Sequence, residues 1–383
     1  IMRLLEKDPS RRPENASEVL EALGLVDPAG RSAPHTGSEE NPLERLARGV
    51  FVGREPEVER LRRGFDDAFS GRGSLVMLVG EPGIGKTRTT QEMETYARMR
   101  GAQALWGRSH ESGGAPAFWP WVQIERAYGA VNDAAQLRSD VGSQGPELLR
   151  LFPDLKQLIP DIGDPMPMTD PESAQFRMFD GYVTFIRAAS SRVPLLLVLD
   201  DLHWADKPTL QLLQHLAREV SSMRVLVVGT YRDTDLSRTH PLSESLATLN
   251  REPGFQRLNL RGLSQEEVGE YVRVTAGVTP SRRLLEKLYE ETEGNPFFLQ
   301  EVVALLTQEG TLTRDTLEDM AIPDGVKEAL GRRLDLLSPE ANELLTLAAV
   351  MGRDFGFDLL KAVGEHEDDD ALVKLVEEGI KGG

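Results

Sequence analysis

The sequence contains no cysteine among its 383 residues. Disulfide bridges, zinc–thiolate sites and cysteine nucleophiles are therefore excluded from it. No apolar run approaches the ~20 residues that a membrane-spanning helix needs, and the first residues lack the hydrophobic stretch of a signal peptide. These absences favour a reduced, cytoplasmic setting without a membrane partner.

Basic residues are also few relative to acidic ones. The sequence has 44 Lys and Arg against 62 Asp and Glu, which gives a formal net charge of -18. Because phosphate backbones are bound by clustered Lys and Arg, we expect no direct nucleic-acid binding by this segment. The hydrophobic content of 40% is that of an ordinary globular protein, and the length allows two or three domains.

A glycine-rich motif follows the first strongly apolar run. Leu75 to Val79 has the composition of a strand, and GEPGIGKT from Gly80 to Thr87 fits the pattern Gly-x-x-x-x-Gly-Lys-Ser/Thr. A polar run that is compatible with a helix comes next. Strand, glycine-rich loop and helix in this order are what a phosphate-binding loop requires, since the backbone N–H groups and the helix N-terminus both face the anion.

This motif predicts a nucleotide site. Lys86 is expected to reach the β- and γ-phosphates, and the Thr87 hydroxyl is expected to ligate Mg²⁺. The alternative is a plain glycine-rich turn between a core strand and a surface helix. The residues of the motif that we expect to contact the nucleotide are Gly80, Pro82, Gly83, Ile84, Gly85, Lys86, Thr87 and Arg88.

A second apolar run, VPLLLVL from Val193 to Leu199, indicates a strand that is buried on both faces. It ends in Asp200 and Asp201. An acidic group at such a strand end can hold Mg²⁺, and we assign that role to Asp200. Asp201 is then placed to orient or deprotonate the attacking water. The alternative is a strand that merely ends in a polar turn. It is the weaker explanation because the acidic pair occurs together with the upstream phosphate-loop motif. Asp206 is expected to cap the next helix.

Further strand-like runs alternate with helical ones. Met223 to Gly229 is a buried strand that closes with Thr230-Tyr231-Arg232, and Gln103 to Gly107 and Phe255 to Leu260 are two more. Arg232 could contact the γ-phosphate, although surface arginines are frequent at strand ends. Consecutive strand–helix units of this kind predict an α/β fold with a doubly wound parallel sheet.

The pattern becomes helical from Gly262 onward. Ser264 and Glu267 have the form of a capping box at the start of the first of these helices. Gly294-Asn295-Pro296 interrupts the helices, which a plain helix start with proline in its first turn would also explain. Further amphipathic helices are expected at Ile322 to Leu336, Pro339 to Met351 and Ala371 to Ile380.

The first 24 residues resemble the last helices of a serine/threonine protein kinase domain. Those helices flank a Lys-Asp-Pro-x-x-Arg-Pro turn, which is matched by Lys7, Asp8, Pro9, Arg12 and Pro13. The resemblance implies that the catalytic lobes of a kinase-like domain lie upstream. A linker rich in Pro, Gly, Ser and charged residues follows.

The rest of the sequence resembles the STAND class of AAA-related ATPases, signal-transduction ATPases with numerous domains. In particular it is similar to the modules of LuxR-type large regulators and of bacterial proteins joined to kinase or cyclase domains. Five motifs occur in the family's order, namely FVGRE at 51–55, GEPGIGKT at 80–87, LLLVLDDLHWAD at 195–206, TYR at 230–232 and GNP at 294–296.

The resemblance implies contacts that spacing alone does not. Val52, Gly53 and Arg54 would lie near the adenine and ribose of ATP or ADP, and Pro296 would belong to a helical lid that closes over ADP. The implied partners are the nucleotide with Mg²⁺, a second copy of the chain when ATP is bound, the upstream kinase-like domain and a downstream output domain. The expected domains are a kinase-like remnant (1–24), a linker (25–48), a P-loop ATPase α/β domain (49–262), a helical lid (263–320) and a partial winged-helix domain (321–383).

The function that we expect is an ATP-binding switch that hydrolyses ATP slowly within a larger multidomain regulator. Asp201 stands where many AAA proteins have glutamate, which leaves rapid hydrolysis in doubt. Two alternatives stay open, a mechanical AAA-type ATPase and an inactive nucleotide-binding scaffold. A GTPase is disfavoured because no Asn-Lys-x-Asp motif occurs, and the LSGGQ signature of ABC transporters is also missing.

Overall fold

The structure is a computed structural model. It describes residues 50–110, 116–167, 170–234, 236–237, 239–308, 334, 337–351, 357–363 and 369–382. The predicted kinase-like remnant and linker lie outside the described residues, as does most of the helix expected at 322–336. The residues from Phe51 onward belong to one compact unit. No helix in the described ranges is long and apolar enough to cross a membrane.

A five-stranded parallel sheet forms the centre of this unit. The spatial order of its strands is β2-β3-β4-β1-β5, and every hydrogen-bonded pair is parallel. Every residue of β1, β3 and β4 is buried, as their continuous apolar runs predicted. The strands are β1 (Ser74–Val79), β2 (Gln103–Arg108), β3 (Leu195–Asp200), β4 (Val225–Tyr231) and β5 (Phe255–Asn259).

Helices cover both faces of the sheet. Because side chains alternate along a strand, Leu75, Met77 and Val79 belong to one core cluster, whereas Val76 and Leu78 belong to another. The helices of this part are α1 (Glu55–Phe69), α2 (Lys86–Met99), α3 (Trp119–Val131), α4 (Ala134–Val141), α5 (Gly145–Leu148), α6 (Leu155–Leu158), α7 (Pro171–Arg192), α8 (Lys207–Glu219) and α9 (Pro241–Leu249). The prediction of a doubly wound α/β fold is confirmed.

The chain beyond β5 is helical wherever it is described, as predicted. Three helices pack around their own core cluster, and the first begins at the predicted capping box of Ser264 and Glu267. These three are α10 (Gln265–Ala276), α11 (Arg282–Thr292) and α12 (Pro296–Gln308), here called the lid helices. They are followed by α13 (Pro339–Met351), α14 (Phe357–Val363) and α15 (Asp369–Gly382). The winged-helix assignment and the domain boundaries stay predictions.

The aromatic segment from Phe118 to Trp121 lies at the start of α3, which begins at Trp119. Pro120 fits the first turn of this helix, where its missing N–H costs nothing, and the Phe118 N–H donates to Asp206 (3.1 Å). Trp121 is fully buried and donates from Nε1 to the Thr209 carbonyl (3.1 Å), so it is a core residue.

Candidate functional site

The glycine-rich loop joins the carboxyl end of β1 to the N-terminus of α2, as its motif predicted. Gly83 has φ 75°, and a Cβ there would lie 2.8 Å from Phe297 Cβ, so only glycine fits. At Gly80 a Cβ would lie 2.8 Å from the Leu260 carbonyl oxygen. The first turn of α2 holds no acidic residue, which leaves its positive N-terminal end available to an anion.

Lys86 is the first residue of α2 and lies folded back on the loop. Its Nζ donates to the carbonyl oxygens of Gly80 (2.8 Å) and Glu81 (2.9 Å), and the residue is only 7% exposed. Burial lowers the pKa of Lys86, and the charge of Arg232 lowers it further. The nearby carboxylates, Asp201 among them, oppose this shift. The Lys86 ammonium group therefore lies near Asp200, Asp201 and Arg232, which the sequence predicts as site residues.

Asp200 ends β3 and is fully buried beside the start of α2. It accepts a hydrogen bond from Thr230 Oγ1 (2.6 Å), and Thr87 Oγ1 lies 3.3 Å and 3.4 Å from its two carboxylate oxygens. Arg108 Nε lies 3.4 Å from Asp200 Oδ2. The structure thus brings together Thr87 and Asp200, the two predicted magnesium ligands.

These two residues fit Mg²⁺ by their chemistry. A hydroxyl and a carboxylate oxygen are hard ligands, and Mg²⁺ is usually held by one or two carboxylates together with substrate phosphates and water. The described residues contain no group of three or more His, Cys, Asp and Glu that could hold a metal. A magnesium ion at Thr87 and Asp200 would complete its coordination with water or with the oxygens of a nucleotide.

Asp201 follows β3 in a left-handed backbone conformation, with φ 58° and ψ 46°. A residue other than glycine is uncommon there, and the surroundings must fix it. Its N–H donates to Thr230 Oγ1 (2.9 Å), and its carbonyl accepts from the Trp204 N–H (2.9 Å). The carboxylate is 14% exposed and lies 4.0 Å from His203 Nδ1. It is therefore partly open to solvent next to the loop.

Thr230 belongs to the TYR motif at 230–232, but the motif did not predict its role. Its hydroxyl accepts from the Asp201 N–H and donates to Asp200 Oδ1, so one buried side chain orients both acidic residues. The available signal was a hydroxyl residue near the end of an otherwise apolar strand. That signal was indecisive without the strand order, which places β4 beside β3. Arg232, the predicted γ-phosphate contact, follows this strand and is half-buried.

The N-terminal segment 51–54 lies against the loop. Arg54 is 6% exposed and donates from one terminal nitrogen to the Ile84 carbonyl (3.0 Å). Burial lowers its pKa, while the charges of Glu57 and Glu267 raise it. Val52 packs against the core of the lid helices. The predicted contacts of Val52, Gly53 and Arg54 with adenine and ribose stay predictions, but the segment does link the loop to the lid.

The lid helices also bond to the loop directly. Asn295 Nδ2 donates to the Pro82 carbonyl (3.0 Å), and the Phe297 N–H donates to the Gly83 carbonyl (3.3 Å). Pro296, the predicted lid residue, lies between these two donors. Asn295, whose side chain makes the contact, stands in the same GNP motif but received no role from the sequence. We call this pair of hydrogen bonds the latch.

Arg88 was expected to contact the nucleotide. In the structure its guanidinium pairs with Glu92 (2.7 Å) one turn further along α2 and lies over the Phe51 ring at 5.5 Å from the centroid. Arg88 follows Lys86 by two residues, and Glu92 and Phe51 belong to α2 and to the N-terminal segment. The role of Arg88 stays a prediction.

A cavity of about 630 Å³ opens between the loop, the ends of β4 and β5, and the lid helices. Five carboxylates line it, from Glu81, Asp233, Glu290, Glu291 and Glu293, against one arginine, Arg261. Such a lining repels polyphosphate. Lys86 and Thr87 are not among its lining residues. The acidic lining of this cavity therefore does not favour phosphate groups.

Comparison with known proteins identifies part of this chain. Residues 50–228 match the model of the AAA ATPase domain family. An uncharacterized protein of Rhizobium meliloti is 26% identical over 334 residues, which are 82% of this chain and 31% of that protein. The chain thus spans about a third of the length of this relative. Residues 50–228 are thus similar to an AAA ATPase domain, and the parallel sheet with flanking helices has the α/β fold of a P-loop NTPase.

Solved structures with partial similarity include three archaeal proteins. A STAND protein of Pyrococcus horikoshii with a tetratricopeptide repeat sensor aligns at 16% identity and TM-score 0.49, over 86% of this chain and 39% of that one. A Walker-type ATPase of Pyrococcus abyssi aligns at 13% identity and TM-score 0.42, over 92% of each chain. Cdc6p of Pyrobaculum aerophilum aligns at 14% identity and TM-score 0.40, over 87% of this chain and 88% of that one.

Proposed function

We propose that this chain is an ATP-binding switch that hydrolyses ATP slowly and whose lid responds to the bound nucleotide. The observation that carries the proposal is the latch, in which Asn295 and Phe297 bond to the carbonyls of Pro82 and Gly83. A phosphate that enters the loop changes the same peptide units that the lid holds. Nucleotide occupancy and lid position are therefore coupled through shared backbone groups.

The side chains around the loop supply the steps of such a cycle. Lys86 leaves the carbonyls of Gly80 and Glu81 and turns to the β- and γ-phosphates, which offer its ammonium group stronger charged acceptors. Thr87 and Asp200 hold Mg²⁺, which when bound neutralises phosphate charge. The phosphates thus replace contacts that the loop makes with itself.

Hydrolysis requires a water molecule aligned with the γ-phosphate. Asp201, held by Thr230, accepts a proton from this water, and Arg232 contacts the γ-phosphate. The short side chain of Asp201 and its fixed left-handed backbone limit its reach toward the water. Slow turnover follows, which suits a switch better than a motor.

In the larger protein, the nucleotide state controls conformation and self-association. ADP keeps the latch closed, and ATP opens it and permits copies of the chain to assemble. Domains upstream and downstream of this segment then provide the input and the output. The inactive scaffold and the mechanical ATPase are the alternatives that the experiment must separate.

The test is light scattering of the chain with ADP and with a non-hydrolysable ATP analogue, together with calorimetric nucleotide affinities. We expect a larger mass with the ATP analogue than with ADP. Lys86→Ala should lower ATP affinity at least 100-fold, about 3 kcal/mol, because a charged hydrogen-bond donor to phosphate is lost. Lys156→Ala is the matched control, since this lysine pairs with Asp164 far from the loop.

Each alternative gives a different result. An inactive scaffold would keep one mass in both nucleotide states and show no ATP turnover. A mechanical ATPase would turn ATP over rapidly without a lasting difference in mass. If Lys86→Ala bound ATP as tightly as the unaltered chain, the site itself would be wrong.

A further inference from the structure

Three neighbouring strands end in polar residues that form a row. Arg108 ends β2, Asp200 ends β3, and Thr230 lies one residue before the end of β4. Arg108 and Asp200 are direct register partners. The residues two positions earlier on all three strands pack in one core cluster, so the three polar side chains continue the same face of the sheet. That face is covered by α2, which carries Thr87.

Asp200 lies at the middle of this row with no exposure to solvent. A buried carboxylate is costly unless it is hydrogen-bonded and paired with a positive charge. Thr230 and Thr87 supply hydroxyl groups, but neither supplies charge. The guanidinium of Arg108 supplies the positive charge, with its Nε 3.4 Å from Asp200 Oδ2. It reaches Asp200 from the edge strand while 31% of its side chain stays exposed.

We propose that Arg108 is the counter-ion of Asp200 in the metal-free protein and that it competes with Mg²⁺ for this carboxylate. The inference rests on the proposed function, because it concerns the residue to which that function assigns the metal. A metal at Asp200 brings positive charge to the same oxygens that Arg108 faces. The guanidinium must then yield these oxygens and turn toward solvent or toward the phosphates.

The backbone around Arg108 allows this exchange without moving the sheet. The Gln123 side chain holds Arg108 from both sides, since its Nε2 donates to the Arg108 carbonyl (2.9 Å) and its Oε1 accepts from the Arg108 N–H (3.2 Å). The Ser109 N–H donates to the Asp200 carbonyl (3.0 Å). Both main chains are therefore fixed, and only the partly exposed arginine side chain has to rotate.

The competition has a consequence for the order of binding. Mg²⁺ that binds without nucleotide gains one carboxylate and one hydroxyl from the protein. To bind the carboxylate it must first displace the Arg108 guanidinium. Mg²⁺ that arrives with a nucleotide also gains phosphate oxygens. Arg108 accordingly keeps the site free of metal until nucleotide is present, and it acts as a positioning residue and not as a catalytic one.

The experiment measures the Mg²⁺ dependence of ADP affinity by calorimetry and the thermal shift caused by Mg²⁺ without nucleotide. Arg108→Ala should melt at a lower temperature in EDTA, because Asp200 loses its counter-ion. Its Mg²⁺ midpoint should fall roughly two- to fivefold, the range expected for a partly exposed ion pair. Arg108→Lys, which keeps the charge, should stay near the unaltered chain. Arg98→Ala removes the exposed ion pair with Glu94 on α2 and is the matched control.

The outcomes separate this inference from the proposed function. An unchanged or higher Mg²⁺ midpoint in Arg108→Ala overturns the competition. Weaker ADP binding in EDTA with an unchanged Mg²⁺ midpoint overturns it as well, and makes Arg108 a phosphate ligand. If the unaltered chain bound no ADP, the proposed function would fail, and the shift by Mg²⁺ alone would still decide the role of Arg108. Arg108→Gln replaces the alanine variant if that variant does not fold.

Discussion

Two buried carboxylates in this chain have opposite surroundings. Asp200, at the end of β3, is 0% exposed and has the Thr230 and Thr87 hydroxyls and the Arg108 guanidinium around it. Glu125, on α3, is 1% exposed, yet neither of its carboxylate oxygens has a hydrogen-bond partner among the described residues. One carboxylate is built into a polar site and the other is enclosed by an apolar core.

The surroundings of Glu125 include a second polar group without a partner. The hydroxyl of Tyr182, on α7, is fully buried and makes no hydrogen bond in the described part of the chain. Burial raises the pKa of Tyr182 well above its usual value, and the charge of Glu125 adds to that shift. The comparison shows that burial alone does not identify a functional carboxylate. The partners around it do.

The largest effect is expected from Thr230→Val, which gives Asp200 surroundings closer to those of Glu125. The substitution keeps the shape of the side chain but removes one bond to a carboxylate and one from the Asp201 N–H. We expect about 3 kcal/mol lower stability, since a buried charged acceptor and a buried donor both lose a partner. ATP hydrolysis should fall about 100-fold as Asp201 loses its orientation. Denaturant unfolding and a phosphate-release assay measure the two effects.

Thr90→Val is the control for this change. Thr90 is equally buried, and its hydroxyl donates only to the Lys86 carbonyl within α2 (2.8 Å). Loss of the Thr90 hydroxyl should lower the free energy of unfolding by about 1 kcal/mol or less. If the two valine variants were equally stable and equally active, the link between Thr230 and the acidic pair would have no functional weight.

The contrast between these threonines also shows what sequence reasoning could reach. The loop from Gly80 to Thr87 and the acidic pair after β3 are local patterns, and each predicted its own place in the fold. Thr230 and Arg108 gain their roles from neighbours on other strands. Those roles depend on the order β2-β3-β4-β1-β5, which no local pattern contains.

The contact between the lid helices and the glycine-rich loop could be predicted only in part, for a similar reason. The family resemblance gave Pro296 a place in the lid, and Asn295 in the same GNP motif received no role. The role of Asn295 follows from its bond to Pro82, more than 200 residues away in the sequence. Gly53 and Arg54 both have positive φ, which the sequence does not indicate for an arginine.

The next largest effect concerns Glu125 and depends on pH. Burial and, to a smaller extent, the charge of Asp154 raise its pKa to about 7, and the charge of Arg126 opposes this shift. The unfolded chain releases this proton near pH 4.5. Between these values the folded state binds the extra proton, so stability falls as pH rises through this window and levels off above about 7.

Glu125→Gln removes this titration while keeping the shape of the side chain. The variant should be on the order of 2–3 kcal/mol more stable than the unaltered chain at pH 8 and close to it at pH 5. Urea unfolding at the two pH values measures the difference. A stability gain of the same size at both would show that Glu125 is not protonated in the folded state. Glu59→Gln, an exposed residue that pairs with Arg63 on α1, is the control.

The smallest effect is expected from Tyr182→Phe, and it completes the comparison with Thr230→Val. Both changes delete a buried hydroxyl from a side chain of nearly constant shape. The Tyr182 hydroxyl has no hydrogen bond to lose within the described ranges, whereas its ring packs against Trp121 (5.2 Å between centroids) and keeps that contact as phenylalanine. Stability should therefore change by less than about 0.5 kcal/mol or rise, because an unsatisfied buried polar group is removed. A loss of 1 kcal/mol or more in urea unfolding would mean that the hydroxyl has a partner, with Glu125 the nearest candidate. In that case Glu125→Gln and Tyr182→Phe should be non-additive when combined, since the two groups would form one buried polar pair.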